Sequence, residues 1–200
     1  MTREYHDVIR IQYNRLGDIA IVSEYSKIVR AGFDNACRSF GERIAPFGFQ
    51  GTKRRFWVRL NSDSADTIYF HRSGETYGAP ICAEVDIRVE CSLYILDAPL
   101  DTAYIHGPVS DAVVSRKNRY HLRFNAKSGS MFERCIDDLV RFFEDHCEPW
   151  FMRCANLNAL ARWPNRILSR QERLALQKLL RAGPSPEQRT HTLKRLGLKK

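Results

Sequence analysis

Between Ile81 and Ile95 every second residue is apolar: Ile81, Ala83, Val85, Ile87, Val89, Cys91, Leu93 and Ile95. Glu84, Asp86, Arg88 and Glu90 fill the alternate positions. A period of two is the side-chain period of a β-strand, so one face of this run is apolar and the other is charged. Fifteen residues of unbroken strand would reach roughly 50 Å, longer than usual, which predicts a bend or bulge near Glu90-Cys91. A strand wet on one face belongs to an antiparallel sheet covered by helices on its other side.

The flanking sequence supplies both partners. From Ser23 to Ala45 the apolar positions Tyr25, Val29, Phe33, Ala36 or Cys37, Phe40 and Ile44 recur every three or four residues. That pattern predicts a helix with Ser23 as its N-cap and Pro46 as its stop. Gly32 inside it costs about 1 kcal/mol relative to Ala and marks a close contact or a break. Before it, Ile9, Ile11 and Tyr13 alternate as an edge strand would, until Leu16-Gly17-Asp18 interrupts them. A corner at Phe47-Gly48-Phe49 and a basic turn lead into a strand over Arg54–Leu60, with Phe56, Val58 and Leu60 on one face. Asn61–Asp66 reads as a turn, Thr67–Arg72 as a second strand and Ser73–Gly78 as a loop. Asp97–Asn118 reads as a long connection, after which Arg119–Asn125 alternates again and completes the sheet. Ser130 with Glu133 has capping-box spacing and opens a helix carrying Phe132, Ile136, Leu139 and Phe143. Pro149 suits the start of a further helix bearing Trp150, Cys154, Leu157 and Ala161. The expected architecture is α+β: a long N-terminal helix, an antiparallel sheet of about four to six strands with helices on one face, and a helical C-terminal hairpin.

Charge divides the chain in two. Residues 162–200 hold 11 Lys/Arg against 2 Asp/Glu, whereas residues 1–161 hold 21 of each, so the whole formal charge of +9 lies in the tail. A neutral α+β body over 1–161 with a basic appendage over 162–200 is the expected division. Within the tail, Ser169 and Glu172 form a second capping box, Gly183-Pro184 ends that helix, and Ser185-Pro186-Glu187 opens another that closes at Gly197. On a helical wheel Arg170, Arg173, Gln177 and Arg181 lie within about 80° of one another, opposite Leu176, Leu179 and Leu180. The leucines are expected to dock on the body and the guanidinium row to face outward, where such rows hold phosphates or acidic partners. The candidate contact residues are Arg166, Arg170, Arg173, Lys178, Arg181, Arg189, Lys194 and Arg195 of the tail. Lys53, Arg54 and Arg55 of the basic turn are expected to extend the patch.

Other chemistries find little support. The six cysteines fall at 37, 82, 91, 135, 147 and 154 with no CxxC pair, and Cys37, Cys135 and Cys154 occupy apolar helical positions. These are features of buried thiols in a reducing cytoplasm rather than of a disulfide framework. Glu144-Asp145-His146-Cys147 is the densest cluster of potential metal ligands, but consecutive helical residues point apart, so no metal site is expected. No GxSxG elbow occurs, and the Gly-rich loop lacks the GKS/T end of a phosphate loop. No cofactor is implied. His71, His106 and His121 are the candidates for a histidine–acid cleft on the sheet, with Glu84 or Asp86 beside them. No segment approaches the roughly 18 consecutive apolar residues of a membrane helix, and the charged N-terminus lacks the apolar stretch of a secretory signal.

The order of helix, Gly48-Phe49 corner, basic turn, Phe56 strand and a second strand ending in Arg72-Ser73 resembles a bacterial domain-of-unknown-function family. The resemblance spans about residues 24 to 160 and leaves the basic tail outside; His71 stands where the family pattern has glutamine. It implies an α+β fold and carries over no catalytic residue. Some small α+β domains of this kind resemble immunity proteins that neutralise bacterial toxins. The functional expectation is therefore a non-enzymatic module that recognises a protein partner, of immunity or regulatory type. A nucleic-acid-binding protein that uses the basic helices is the alternative, and a small enzyme built on the histidines is the third.

Overall fold

A computed structural model describes residues 3–53, 55–72, 82–99, 104–113, 120–162 and 167–198, with side chains described from Glu24 onward. The chain is α+β. Helix α1 (Arg3–Ile44) is followed by a 3-10 turn (Ala45–Phe47) and by strands β1 (Gln50–Lys53), β2 (Phe56–Leu60), β3 (Ser64–Arg72), β4 (Glu84–Ile95), β5 (Tyr104–Val109) and β6 (Arg123–Asn125). Helix α2 (Phe132–Phe142) passes through a π-helical turn (Phe143–Cys147) into α3 (Glu148–Cys154). The short α4 (Leu157–Leu160) precedes α5 (Arg170–Ala182) and α6 (Pro186–Leu196).

The sheet is antiparallel throughout, in the order β1-β2-β3-β4-β5, and β6 also pairs with β4. Along β4, residues Glu84–Asp86 pair with β6 and Glu90–Tyr94 pair with β5, so two short strands share the edge opposite β3. A register shift within the β4–β5 ladder falls at Glu90/Ser92, where the length of the alternating run called for a bulge. Val85, Ile87, Val89, Cys91, Leu93 and Ile95 are all buried beneath α1, α2 and α3, with Val29, Phe33, Phe40 and Ile44 opposite them. At about 25 cal/mol per Å² of apolar surface, this layer is the main stabilising term of the fold.

Several local expectations are corrected. The N-terminal segment continues α1 back to Arg3, so Ser23 lies inside the helix rather than at its cap. Ile9, Tyr13 and Leu16 fit i, i+4, i+7 spacing as well as Ile9, Ile11 and Tyr13 fit alternation. The basic turn is the tip of a hairpin between β1 and β2, and β1 carries no periodic signal because Gln50-Gly51-Thr52-Lys53 has no apolar residue. The long connection contains β5, whose Gly107-Pro108 disguises an edge strand. Ser130 does not cap α2: Met131 takes that position at φ 65°, with no side-chain hydrogen bond. The Ser73–Gly78 loop lies outside the described residues.

Two glycines explain themselves. Gly32 brings α1 against the β6 turn, where an added Cβ would stand 2.5 Å from Ala126 Cβ. Gly48 turns the corner at φ 86°, a left-handed conformation that costs glycine least, and its N–H donates to Ala45 O.

The tail is packed on the body. Leu168 and Leu176 join the main core, and Leu196 forms a second cluster with Val58, Ala65 and Leu96 on the opposite side of the sheet. Helix α6 therefore covers part of the face expected to be wet, and β2 is buried on both sides, through Trp57 in one cluster and Val58 in the other. Leu60, expected on the core face with Phe56 and Val58, is half exposed at the strand end. The capping box of Ser169 and Glu172 is complete, the Ser185 side chain caps α6, and Gly197 closes it in the left-handed region with Leu198 N–H donating to Leu193 O.

Candidate binding surfaces

The guanidinium row of α5 is rotated from its expected position. Arg173 is buried, and Gln177 is half-buried with its amide donating to Ala161 O at 2.9 Å. The outward face instead carries Arg170, Leu174, Lys178 and Arg181, all exposed, within about 80° on the wheel. Leu174 is 56% exposed at the centre of these three cations. The leucine arc explains the rotation: Leu176, Leu179 and Leu180 set the buried side, and Arg173 lies on the same side as Leu176 and Leu180 and goes inside with them.

Arg189 is committed to the fold. Its Nε and Nη2 donate to both oxygens of Asp97 at 3.1 and 2.8 Å, and Nη1 donates to Ser62 O at 2.9 Å. This bidentate pair holds the Asp97 carboxyl below the usual carboxylate range and anchors α6 to the turns at the sheet's lower end. Lys194 and Arg195 are exposed in the last turn of α6. Lys53 of β1 reaches across and donates from Nζ to Arg195 O, so the body's basic turn and the tail do meet. Arg55 sits at φ 67° with its guanidinium over the Phe33 ring, 4.8 Å from the centroid. Arg54 and Arg166 lie outside the described residues.

The three histidines do not converge. His71 Nε2 is 3.0 Å from Glu90 Oε2 on the open face, and its ring packs edge-on to Tyr69. His106 is exposed beside Tyr104. His71 pairs with Arg88 and His106 with Ser92, four residues apart on β4, which separates them by about 13 Å along the strand direction alone. His121 lies on the far side of the bulge, where its backbone N–H donates to Asp138 Oδ2 at 2.7 Å. Among the described residues, no group of three or more His, Cys, Asp or Glu is placed to hold a metal ion.

Two polar clusters were not legible beforehand. In the first, Arg59 of β2 donates to Asp66 Oδ2 at 2.8 Å, Glu148 Oε1 at 2.9 Å and Phe47 O at 3.1 Å, and lies over the Phe49 and Phe151 rings. Burial works against its charge, yet its bonds to Glu148 and Asp66 outweigh that and raise its pKa. Burial also pushes the Asp66 carboxyl up, against its bonds from Arg59 and Asn61. Asp66 Oδ1 and Glu148 Oε2 are buried without a hydrogen-bond partner among the described residues. In the second, the π-helical turn brings the consecutive Asp145 and His146 onto one partner, the Tyr120 hydroxyl, at 2.8 Å each. A carboxylate only accepts, so the phenol donates to Asp145 and the imidazole Nε2–H donates to the phenol. Burial, then the Asp145 bond, push the Tyr120 pKa up to about 12. Regular α-helical geometry would have sent the two side chains apart, as the sequence suggested.

The cysteines divide similarly. Cys37, Cys135 and Cys154 are buried thiols as expected, with burial pushing the last two up to about 12. Cys91 and Cys147, by contrast, are joined in a disulfide that ties β4 to the π-helical turn, across a sequence separation of 56 that no local spacing reveals. A cleft of about 760 Å³ opens between β5 and the α5–α6 turn, with Ile95, Tyr104, Ile105, Leu176 and Leu179 among its walls. No protein-family model, curated protein or solved structure matches the chain. Among the described residues no helix is long and apolar enough to cross a membrane.

Proposed function

We propose that the protein is a non-enzymatic binding module for an acidic protein partner, of immunity or regulatory type, and that it works in the cytoplasm. The observation that carries this reading is Leu174, exposed and framed by Arg170, Lys178 and Arg181. A nucleic-acid backbone gains nothing from a leucine, whereas a protein interface has an apolar centre, enriched in arginine, inside a polar rim. The cations steer an acidic surface onto the helix and the leucine supplies the short-range contact. The resemblance to immunity-type domains agrees with a protein partner; the three buried thiols fit a reducing compartment, whereas the Cys91–Cys147 disulfide speaks against one.

The test compares wild type with Leu174→Asp and Arg170→Glu/Arg181→Glu, in affinity purification from the native cells and in binding to mixed DNA and RNA at 50 and 200 mM salt. The reading expects one acidic protein that both variants lose, with reconstituted binding weakened at least tenfold, and nucleic-acid binding no stronger than that of a generic basic protein. Tight, salt-steep nucleic-acid binding that Leu174→Asp leaves unchanged would refute it and favour the alternative, because phosphate contacts follow the cations alone.

A further inference from the structure

The surface between α1 and the β1–β2 hairpin contains a depression of about 380 Å³ lined by Asp34, Cys37, Arg38, Lys53, Arg55 and Trp57. It lies apart from the outward row of α5. Three of its lining residues are cations and one is an acid, so the lining carries a formal charge of +2. The cations come from different places: Arg38 from α1, Lys53 from the end of β1 and Arg55 from the hairpin turn before β2. Sequence-local charge runs usually spread into solvent, but these three face one concavity.

The site is also built. Arg55 adopts φ 67°, a left-handed conformation that is uncommon for a residue with a side chain and clusters at functional positions. Its carbonyl accepts from Phe70 N–H at 3.0 Å, which fixes the backbone there, and its guanidinium stacks on Phe33. Lys53 is held at the other wall by its bond to Arg195 O at the end of α6. Gly197 seats that helix end against Thr52 and Lys53, where an added Cβ would stand 3.3 Å from Thr52 O. Lys194 and Arg195 thus add positive potential beside the depression, and the nearest carboxylate in the lining is Asp34.

We propose that this depression binds a phosphomonoester group. A phosphomonoester carries close to two negative charges at neutral pH and three acceptor oxygens, matching the +2 lining and its two guanidinium forks and one ammonium. A carboxylate would satisfy half of that charge. Arg38 and Arg55 hold the phosphate oxygens, Lys53 supplies a point charge, and the Trp57 ring borders the group that carries the phosphate. The carrier is a small phosphorylated metabolite, since the depression of about 380 Å³ is the size of a small-molecule site, and a phosphorylated peptide or a 5′-phosphorylated strand is an outcome the titration distinguishes.

The experiment follows the indole N–H resonance of Trp57 and the side-chain Nε–H resonances of the arginines in the full chain. Inorganic phosphate, phenyl phosphate, a phosphoserine peptide and one oligonucleotide with and without its 5′ phosphate are titrated at constant ionic strength. Saturable shifts at Trp57 and Arg38 are expected from every phosphomonoester, and none from the 5′-hydroxyl strand or from chloride. Arg38→Ala, an exposed position on α1, is expected to weaken binding about tenfold, in line with loss of one charge-assisted hydrogen bond. Arg181→Ala on α5 is expected to change it less than twofold. Tighter binding of one carrier identifies the source, and equal binding of all still supports the phosphate site. Shifts that chloride reproduces, or an Arg38→Ala affinity equal to wild type, would overturn the proposal. Because the Arg181→Ala control and the partner assay read a different surface, either proposal can fail without the other.

Discussion

Replacing Arg59 by methionine tests how this fold joins its layers. The side chain is 18% exposed and makes three hydrogen bonds, to Asp66, Glu148 and the Phe47 carbonyl, while stacking on two phenyl rings. Methionine keeps most of the apolar stem and removes the charge. What remains is the Asp66 carboxylate, 3% exposed, next to Glu148 at 21%, with no cation between them. Removing one partner of a buried ion pair costs about 3–5 kcal/mol, because the other charge stays buried and unpaired. For a chain of this size each kcal/mol moves the melting temperature by roughly 2–4 °C, so a drop of roughly 6–20 °C is expected. Urea unfolding at pH 7 should show the midpoint fall with the slope unchanged.

The pH dependence separates this mechanism from simple loss of packing. Asp66 has a folded pKa above its unfolded value, so its proton is held more tightly in the native state. A group of that kind contributes stability that is fully present below the unfolded pKa and is lost as pH rises through the folded one. Without Arg59 the folded pKa rises further and the penalty of ionisation grows. The Arg59→Met defect should therefore shrink between pH 7 and pH 5, and adding Asp66→Asn should recover at least half of it. A loss below about 1 kcal/mol, or one that is equal at the two pH values and indifferent to Asp66→Asn, would refute the reasoning.

Other perturbations read other joints. Gly32→Ala gains about 1 kcal/mol of helix propensity but forces a contact with Ala126 Cβ at 2.5 Å, so net destabilisation of about 1–2 kcal/mol is expected in thermal unfolding, relieved by Ala126→Gly. Ser169→Ala removes one half of a complete capping box and should cost about 1 kcal/mol, read most sharply as faster amide exchange in the first turn of α5. Asp97 has a folded pKa below its unfolded value through Arg189, so its stabilisation is present above the unfolded pKa and lost as pH falls through the folded one; Asp97→Asn should flatten the acid limb of the stability curve. Tyr120→Phe leaves the Asp145 and His146 side chains without their common partner and should cost about 1 kcal/mol in thermal unfolding. An unchanged melting temperature would mean that the two hydrogen bonds of the phenol add nothing net to the fold.

The elements that could be read from the sequence are those whose order is written in a single period. β4 shows its alternation from Glu84 to Cys91, before the buried Ser92, and α1 shows its stripe from Val29 to Ile44, because each buries one face against one layer there. β1 and β5 fail that test: β1 is a polar edge strand, exposed at three of its four positions, and β5 is buried only at Ile105. The polar clusters failed for a different reason. Arg59, Asp66 and Glu148 are brought together by the Gly48 corner and by the packing of α3 on the sheet, and Asp145 and His146 share Tyr120 only through the π-helical turn. Their residues are ordinary in type, and only the tertiary arrangement makes them neighbours. The charge of the tail was legible as a total and not as a surface, since burial chose Arg173 over Leu174.

That choice bears on how the basic tail is to be understood. A solubilising appendage needs no fixed geometry, and its cations would be interchangeable. Here they have separate roles. Arg173 is inside, Arg189 is bound through all three nitrogens of its guanidinium to Asp97 and Ser62, and the Arg195 carbonyl receives Lys53. Leucines from both helices enter the body's two apolar clusters. Cutting the chain at Ala161 would expose Leu157, Leu160 and the sheet face around Val58 and Ala65, so a truncated body would test folding before it tested binding. Charge reversal on the outward row is the cleaner perturbation, because Arg170, Lys178 and Arg181 are exposed and leave the clusters untouched. Surface substitutions of that sort usually stay within about 0.5 kcal/mol of wild type. A variant with all three reversed should therefore unfold where wild type does, and any interaction it loses belongs to that face of α5.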